Sequence, residues 1–327
     1  MSREPHTRLA RALAALLQDP RPVTGVQRLR GGSKKGVYRL TLDHTDTVIA
    51  YLWHSTEDYW HTGAAHSQDP ADPFSHASGP HLFTAAHRAL TDLGVRVPRL
   101  LAHDTTGTHH PGAIALVQDV PGPTLEELLE RDPATAAPVL DRLGAFLRTM
   151  HATTHPGFGK VHHLTTGGRP HAPSCEQTVL DRALADLDEA AARDARLHPH
   201  HARLTSALHT LAHRITPRRE HVLIHGELGP DHVLVDTDGT PVLIDIEGMM
   251  FFDAEWEHSF LRLRFGEHHP RLRTRTPDPH RSALYDLAMH LSLVAGPLRL
   301  LEGDYPDRAF MLSIAEHHLA RALQTTA

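Results

Sequence analysis

Acidic side chains cluster around one polar loop that lies between two short apolar runs of the chain. The runs are 221–225 and 241–244; Glu227 lies in the loop between them, and Asp245 and Glu247 directly follow the second run. A loop carboxylate can orient or deprotonate an attacking hydroxyl, while a second acidic group holds the divalent cation that bridges nucleotide phosphates. The pattern therefore predicts a phosphoryl-transfer site. The alternative is a polar hairpin, turned at Asp238-Gly239, whose acids are merely solvated.

This stretch resembles the catalytic segment of the aminoglycoside phosphotransferase and choline kinase family, which are relatives of the protein kinases. Members of that family typically read His-Gly-Asp-Leu-x-x-x-Asn, followed by a strand that ends in Asp. Gly226, Leu228 and Asp245 match this pattern. Two positions depart from it, because Glu227 stands where the family has its catalytic Asp and His232 where it has its metal-binding Asn.

The resemblance continues in Phe252–Glu257, which reads Phe-Asp-Ala-Glu-Trp-Glu and is similar to the family's Gly-Asp-Pro-x-x-Asp structural segment. It implies that Glu227 acts on the acceptor hydroxyl, that Asp245 binds magnesium (Mg2+), and that Glu247 supports the metal shell. His232 would occupy the second metal-ligand place. Magnesium prefers oxygen ligands, so His232 either contacts the metal through water or hydrogen-bonds Glu227 or a phosphate instead.

The N-terminal third predicts a small sheet that would position a nucleotide. Residues 6–18 have a helical apolar period, 26–29, 37–42 and 47–53 alternate as strands, and 81–93 predicts a helix. The kinase-like lysine expected on the third strand is missing, and so is the helix glutamate that would pair with it. Residues 54–80 are rich in His, Asp, Pro, Ser and Gly and predict an irregular insertion.

A glycine-rich loop between the first two strands is the candidate phosphate-covering loop. It contains Gly31, Gly32, Ser33, Lys34 and Lys35, and glycines let backbone N–H groups approach an anion closely. We expect at least one of the two lysines to replace the missing strand lysine at the phosphates. The alternative is a pair of solvated loop lysines.

The following strand leads to a predicted hinge, where the backbone from Gln118 to Val120 would face the purine of ATP or GTP. From Thr124 the apolar period changes from two to about 3.6, and Thr124 with Glu127 forms a capping-box pattern. Helices are predicted over 134–151, 176–194, 199–215, 282–301 and 305–325. The expected domains are an N-terminal nucleotide-binding lobe with its hinge, 1–122, and a C-terminal catalytic and substrate-binding lobe, 123–327.

Composition narrows the function classes. The net charge of −6 argues against a general nucleic-acid binder, and the absence of an 18-residue apolar run argues against a membrane span. The single cysteine, Cys175, excludes an internal disulfide and suits a reducing cytoplasm. The 31 histidines are scattered without zinc-site spacing, so no structural metal is expected from them.

Together these features predict an α+β, bilobal protein-kinase-like fold and a small-molecule O-phosphotransferase that uses magnesium with ATP or GTP. Residues 270–327 carry six acids and seven arginines, which gives little attraction to a polycation. A neutral or weakly charged hydroxylated acceptor is therefore expected. Because related phosphotransferases modify capuramycins, the resemblance favours an antibiotic-inactivating enzyme that acts on a nucleoside antibiotic of that type over one that acts on an aminoglycoside. A metabolic kinase for choline, a sugar or homoserine, and a nucleotide-binding pseudokinase, remain as alternatives. The sequence does not indicate an oligomeric state.

Overall fold

The computed structural model describes residues 3–18, 21–29, 32–60 and 69–324, with side chains from residue 10 onward in the first helix. Eleven strands lie in the described residues: β1 Val23–Arg28, β2 Gly36–Leu42, β3 Asp46–Trp53, β4 Leu100–Asp104, β5 Ala113–Gln118, β6 Thr154–His155, β7 Gly159–Lys160, β8 His221–Ile224, β9 Val233–Val235, β10 Pro241–Leu243 and β11 Met250–Phe252. The same residues form ten α-helices: α1 Arg3–Leu17, α2 Pro80–Asp92, α3 Leu125–Arg131, α4 Pro133–Ala152, α5 Val161–Thr165, α6 Cys175–Arg193, α7 His201–His213, α8 Ala254–Phe265, α9 Pro279–Leu300 and α10 Arg308–Gln324.

Two compact units divide the chain, and each takes segments that are not consecutive in sequence. The first unit comprises the described residues of Met1–His66, Ala77–Val139 and Asp231–Glu247, and the second those of Ser67–His76, Leu140–Pro230 and Gly248–Ala327. The sequence predicted consecutive lobes, 1–122 and 123–327. That boundary stays a prediction about functional lobes, while the compact units assign 231–247 to the first unit.

The first unit contains a five-stranded antiparallel sheet in the order β1-β2-β3-β5-β4. Side chains along β2 alternate between buried and half-buried positions, as expected for a strand with one face on a core. Tyr38, Leu40 and Leu42 supply that face and pack in one cluster with Leu13 of α1. The predicted antiparallel N-terminal sheet is therefore confirmed.

A two-stranded hairpin, β9 with β10, is also part of the first unit. Its turn is closed by the N–H of Asp236, which donates to the carbonyl of Thr240 at 2.9 Å, and Gly239 has φ +76°. Leu243 N–H donates to the carbonyl of Arg96 at 2.9 Å, which holds the hairpin within the unit. The predicted turn at Asp238-Gly239 is therefore present, and it leads into β10, which carries this bond at Leu243.

The second unit is mostly helical, with one small sheet in the order β6-β8-β11-β7. All four residues of β8 are buried, and β8 pairs antiparallel with β11 through Ile224 and Met250. A large apolar cluster joins α6, α7 and α9. The predicted helical C-terminal region is confirmed; the predicted helix over 199–215 is a 3-10 turn, Ala195–His200, followed by α7.

One local signal in the sequence, the capping box at Thr124, corresponds to observed structure. Thr124 accepts from Glu127 N–H at 3.1 Å while the Glu127 carboxylate accepts from Thr124 N–H, so α3 begins with a capping box. Among the helices that the structure describes, none has the length and apolar character required to cross a bilayer.

Candidate active site

Lys35 is the central cation of a buried charge cluster in the first unit. It directly precedes β2 and is 5% exposed. Its Nζ lies 2.6 Å from Asp245 Oδ1 and 2.8 Å from Glu247 Oε1, which both follow β10. The same Nζ lies 5.3 Å from the ring centroid of Tyr51 on β3, within the range of a cation–π contact. One ammonium therefore bridges the two acids that the sequence assigned to the metal.

The electrostatics of this cluster are dominated by mutual stabilisation. Burial alone would lower the pKa of Lys35, but Asp245 and Glu247 outweigh it and hold that pKa above its ordinary value. Burial likewise opposes ionisation of Asp245, yet the Lys35 ammonium keeps the pKa of that carboxyl well below its usual range. Burial raises the pKa of Glu247. One cation faces two acids, so the cluster favours a further positive charge.

Backbone strain positions Asp245. Its φ is +58°, a left-handed conformation that non-glycine residues adopt infrequently and at an energetic cost. The preceding residue, Ile244, donates its N–H to the carbonyl of His232 at 3.0 Å, which ties the ends of β9 and β10 together. The strained turn and this bond place the Asp245 carboxylate against Lys35, and its side chain remains 42% exposed.

His232 lies beside Asp245 but does not hydrogen-bond it. Its Nε2 is 3.7 Å from Asp245 Oδ2 and also 3.7 Å from Asp231 Oδ2. These distances exceed hydrogen-bond length, so the imidazole neighbours both acids without a hydrogen bond to either. The structure thus brings His232, Asp245 and Glu247 together, as the sequence predicted.

The donor set agrees with magnesium at two of its three positions. Asp245 and Glu247 offer carboxylate oxygens, which are the ligands that hard divalent cations prefer. Glu247 Oε1 is buried, and the Lys35 ammonium 2.8 Å away is shared with Asp245, so one positive charge serves two carboxylates. A second cation suits such a pair of oxygen donors, whereas the nitrogen of His232 is a poor magnesium ligand.

The conformation of the glycine-rich loop is constrained at Gly32 and at Ser33. Gly32 has φ +74°, and a Cβ there would lie 2.5 Å from the carbonyl oxygen of Lys35, so only glycine fits. The hydroxyl of Ser33 accepts from Trp60 Nε1 at 2.8 Å. Gly31, the other predicted phosphate-loop glycine, lies outside the described residues.

The structure separates the two loop lysines. Lys35 is buried in the charge cluster, whereas Lys34 is half-buried and its carbonyl accepts from Ser78 Oγ at 3.0 Å. Gly36, which follows Lys35, pairs with Leu52 of β3. Lys35 therefore lies at the start of β2, next to the strand that lacks the expected lysine. Of the two loop lysines, Lys35 is therefore the candidate to replace the lysine that is missing from β3.

The predicted hinge is partly occupied by sheet hydrogen bonds. Gln118 ends β5, and its N–H donates to the carbonyl of Arg99 at 2.9 Å. Its Oε1 accepts from Arg96 at 3.2 Å, and Val120 is 3% exposed. A purine at this hinge would therefore use backbone groups other than the N–H of Gln118.

Glu227 belongs to the second unit and lies within the loop that follows β8. It is exposed, although Gly226 before it and Leu228 after it are buried. The Glu257 carboxylate on α8 accepts from the N–H groups of His225 and Gly226, at 2.5 and 3.3 Å. The sequence showed Glu257 only as part of a structural segment; its link to this loop emerges only from the structure.

One further cluster lies apart from these residues. Cys175, His221 and Asp253 are buried in the second unit with potential ligand atoms within 4.8 Å of one another. The Asp253 carboxylate already accepts from Arg281 and from the Tyr285 hydroxyl. Its charge is therefore balanced by arginine, and we interpret the cluster as part of a structural ion-pair network.

Comparisons with known proteins agree on a family and a fold. Residues 25–270 match the Phosphotransferase enzyme family. None of the curated protein sequences compared with the chain matches it.

Solved structures with the same fold include two antibiotic phosphotransferases and a choline kinase. A thermostable mutant of the aminoglycoside phosphotransferase APH(4)-Ia has a TM-score of 0.64 at 16% identity, covering 97% of this chain and 100% of that one. The spectinomycin phosphotransferase APH(9)-Ia, solved with ADP and spectinomycin, has a TM-score of 0.64 at 14% identity, covering 97% of each chain. Choline kinase LicA from Streptococcus pneumoniae has a TM-score of 0.62 at 13% identity, covering 98% of this chain and 100% of that one. These similarities confirm the kinase-like fold.

Proposed function

This protein belongs to the Phosphotransferase enzyme family, and we propose that it transfers the γ-phosphate of ATP or GTP to a hydroxyl group of a small molecule in the cytoplasm. The observation that carries the proposal is the bridge from Lys35 to Asp245 and Glu247. A buried lysine beside two acids, with one positive charge for two carboxylates, combines a phosphate-binding cation with a place for magnesium.

Each site residue has a role in this proposal. Glu227 accepts the proton of the acceptor hydroxyl. The hydroxyl oxygen forms a bond to the γ-phosphorus, and the bond between the γ-phosphorus and the β–γ bridging oxygen breaks. Asp245 and Glu247 would hold magnesium, which supplies positive charge against the phosphates when it is bound. Lys35 would donate to phosphate oxygens once the metal occupies its carboxylate partners. His232 would contact a phosphate or a metal-bound water.

The glycine-rich loop would cover the phosphates. Gly32 and Ser33 would provide close backbone approach there, with Lys34 at the loop edge, and the same role for Gly31 stays a prediction from the sequence. The backbone near Gln118 and Val120 would meet the purine. The solved relatives support a nucleotide donor, because APH(9)-Ia was crystallised with ADP and APH(4)-Ia with AMP-PNP.

We further propose a neutral or weakly charged acceptor, with a nucleoside antibiotic favoured over an aminoglycoside. The support is that most acids of the C-terminal segment already have partners. Five of its six acids form ion pairs or helix caps: Asp286 with Arg262, Glu302 with Arg193, Glu316 with Arg196, Asp278 at the start of α9 and Asp307 at the start of α10. Glu255 and Glu257 are fully buried. Little negative charge therefore remains in this segment to attract a polycation.

The test is nucleotide consumption by the purified protein with magnesium and a panel of hydroxyl acceptors. The panel contains capuramycin-type nucleosides, aminoglycosides, spectinomycin, choline, sugars and homoserine. We expect phosphorylation of a neutral or weakly charged member. Efficient turnover of several aminoglycosides with none of any nucleoside would contradict the acceptor proposal, and nucleotide binding without turnover of any acceptor would favour a pseudokinase.

A further inference from the structure

We propose that Glu257 is a positioning residue whose side-chain length is matched to that of Glu227. Glu257 sets the position of the loop backbone, and Glu227 reaches from that backbone to the acceptor. The inference rests on the proposed function, because it assumes that Glu227 acts on the acceptor hydroxyl.

The carboxylate of Glu257 holds the two residues that precede Glu227. One oxygen, Oε2, accepts from His225 N–H at 2.5 Å and from Gly226 N–H at 3.3 Å. Glu257 lies in the first turn of α8 and is 0% exposed. A rigid helix thus carries the group that fixes the loop, and no solvent competes for its hydrogen bonds.

The surrounding backbone leaves the loop little alternative position. Residues 222–224 are paired with β11. Gly226 has φ +91°, and a Cβ there would lie 3.2 Å from Met250 Cε. The sheet therefore constrains the loop on one side and Glu257 on the other, so the distance that Glu227 spans depends on both side chains.

The buried carboxylate is retained at a cost. Burial raises the pKa of Glu257 to about 7, and among the described residues its Oε1 has no hydrogen-bond partner. An acid held by backbone N–H groups alone is destabilising compared with an apolar residue of similar volume. A role in fixing the loop accounts for this cost.

Length is the property that distinguishes these positions. The family pattern has Asp at both, whereas this chain has Glu at both, so each side chain is one methylene longer. A longer group on α8 allows the loop backbone to lie about 1 Å farther from the helix, and a longer Glu227 restores the reach. Displacements of about 1 Å can lower turnover about a hundredfold.

The first experiment measures the contact itself by hydrogen–deuterium exchange of the 222–229 peptide in the full-length protein. Glu257→Asp and Glu257→Gln should accelerate exchange at the amides of His225 and Gly226 at least about fivefold, because each change weakens or misplaces the acceptor. The matched control is Glu255→Asp, a buried glutamate on the same turn that pairs with Arg218 instead. Unchanged exchange in both Glu257 variants would overturn the proposal.

The second experiment is a double-mutant cycle in kcat with Glu227→Asp, Glu257→Asp and the double variant. Each single change should lower kcat at least about tenfold while the nucleotide KM stays within about twofold. The double variant should lose at least about tenfold less activity than the product of the two single losses, since shortening both side chains together restores the match between their lengths. Glu255→Asp should show no such coupling to Glu227→Asp.

The outcomes separate this inference from the proposed function. Multiplicative effects in an active enzyme would overturn length matching while the phosphotransferase assignment stands. A wild-type protein that turns over no acceptor would contradict the proposed function and with it length matching, and the exchange measurement would then decide whether Glu257 holds the loop.

Discussion

The buried ammonium of Lys35 separates two carboxylates that would repel each other strongly without it. Asp245 and Glu247 both lie within 2.8 Å of its Nζ, and Glu247 is almost fully buried. Removing one member of such a cluster leaves uncompensated charge in a region of low dielectric. The three residues therefore form one coupled group, and their substitution effects should not be additive.

Glu227 has the clearest single-residue test. Glu227→Gln should lower kcat at least about a hundredfold, because the amide cannot accept a proton, while nucleotide affinity stays within about threefold. The measurement is steady-state turnover with any active acceptor, together with calorimetric titration of ADP. The control is Glu220→Gln, an exposed acid in the same unit. Near-normal turnover of Glu227→Gln would exclude Glu227 as the base.

Sequence reasoning identified the residue types at the site but not all of their partners. The spacing of Glu227, His232 and Asp245 follows a family pattern and was visible in one dimension. The sequence alone could not distinguish Lys34 from Lys35, because adjacent residues in a loop have no periodicity that indicates which one is buried. Glu257 was missed as a loop contact because it lies 30 residues beyond Glu227, and its hydrogen bonds require the fold.

At the scale of elements, a buried ion-pair network joins α9 to α6 and to the start of α8. Arg281, in the first turn of α9, is 1% exposed and donates to Asp253, to Glu176 and to the carbonyl of Thr216. Tyr285, one turn later, donates its hydroxyl to Asp253 at 2.6 Å. These bonds connect α9 to α6 and to the residue that begins α8.

Arg281→Met should destabilise the protein by about 3–5 kcal/mol, because Glu176 would remain buried without its cation and Asp253 would keep only the longer ion pair to Arg218, at 3.4 Å. Urea unfolding monitored by circular dichroism measures the change. Arg273→Met is the exposed control and should change the free energy of unfolding by about 0.5 kcal/mol or less. Equal effects of the two substitutions would contradict a structural role for the network.

Element prediction succeeded where periodicity was long and failed where strands were short. The strands β2 and β3 and the helices α2, α4, α6 and α9 agree with their predicted ranges within a few residues. The strands β6, β7 and β11 have two or three residues each, too few to show alternation. Tertiary contacts set their pairing, in which β6 and β11 pair with β8 and β7 pairs with β11.

At the scale of the whole molecule, many of the histidines are structural and neutral. His151 and His258 both bond to Thr274 Oγ1, at 2.7 and 3.0 Å, and His258 also contacts His269. Burial lowers the pKa of His151 to about 3 and those of His258 and His269 to about 4. Burial also lowers the pKa of His318 to about 3.

These shifts predict that acid destabilises the protein well before its carboxylates are protonated. The unfolded chain binds protons on these histidines as the pH falls through about 6.5, whereas the folded chain binds them only near 3–4. Stability is therefore full above about pH 7 and falls between about pH 6.5 and 4. The raised pKa values of Glu257, Glu247 and Asp186 act in the opposite direction. They are three groups against six histidines, because burial also lowers the pKa values of His221 and His290.

Urea unfolding at pH 7.5 and pH 5.0 measures this effect, and we expect a clearly lower free energy of unfolding at pH 5.0. The Nδ1 atoms of His318 and His290 lie 2.8 Å apart. The His318→Gln variant should show a smaller difference in the free energy of unfolding between pH 7.5 and pH 5.0. Equal stability at the two pH values would contradict buried neutral histidines.

The overall fold was predictable because the sequence combines strand alternation, a change to helical period and a family motif. The division into compact units was not predictable in the same way. Residues 231–247 follow the loop that contains Glu227, but they pack in the first unit with the N-terminal sheet, through bonds such as that from Leu243 to Arg96. A linear reading assigns such a segment to its neighbours in the chain, whereas packing assigns it by contact.

The central claim is that Lys35, drawn from the glycine-rich loop, is the phosphate-binding lysine of a phosphotransferase. The most direct measurement is kcat/KM for the nucleotide in Lys35→Met and Lys34→Met, each first shown to be folded by its unfolding transition. We predict a loss of at least about tenfold for Lys35→Met, on the scale of a charge-assisted hydrogen bond, and less than about threefold for Lys34→Met. An unchanged kcat/KM in Lys35→Met, or a larger loss in Lys34→Met, would contradict the claim.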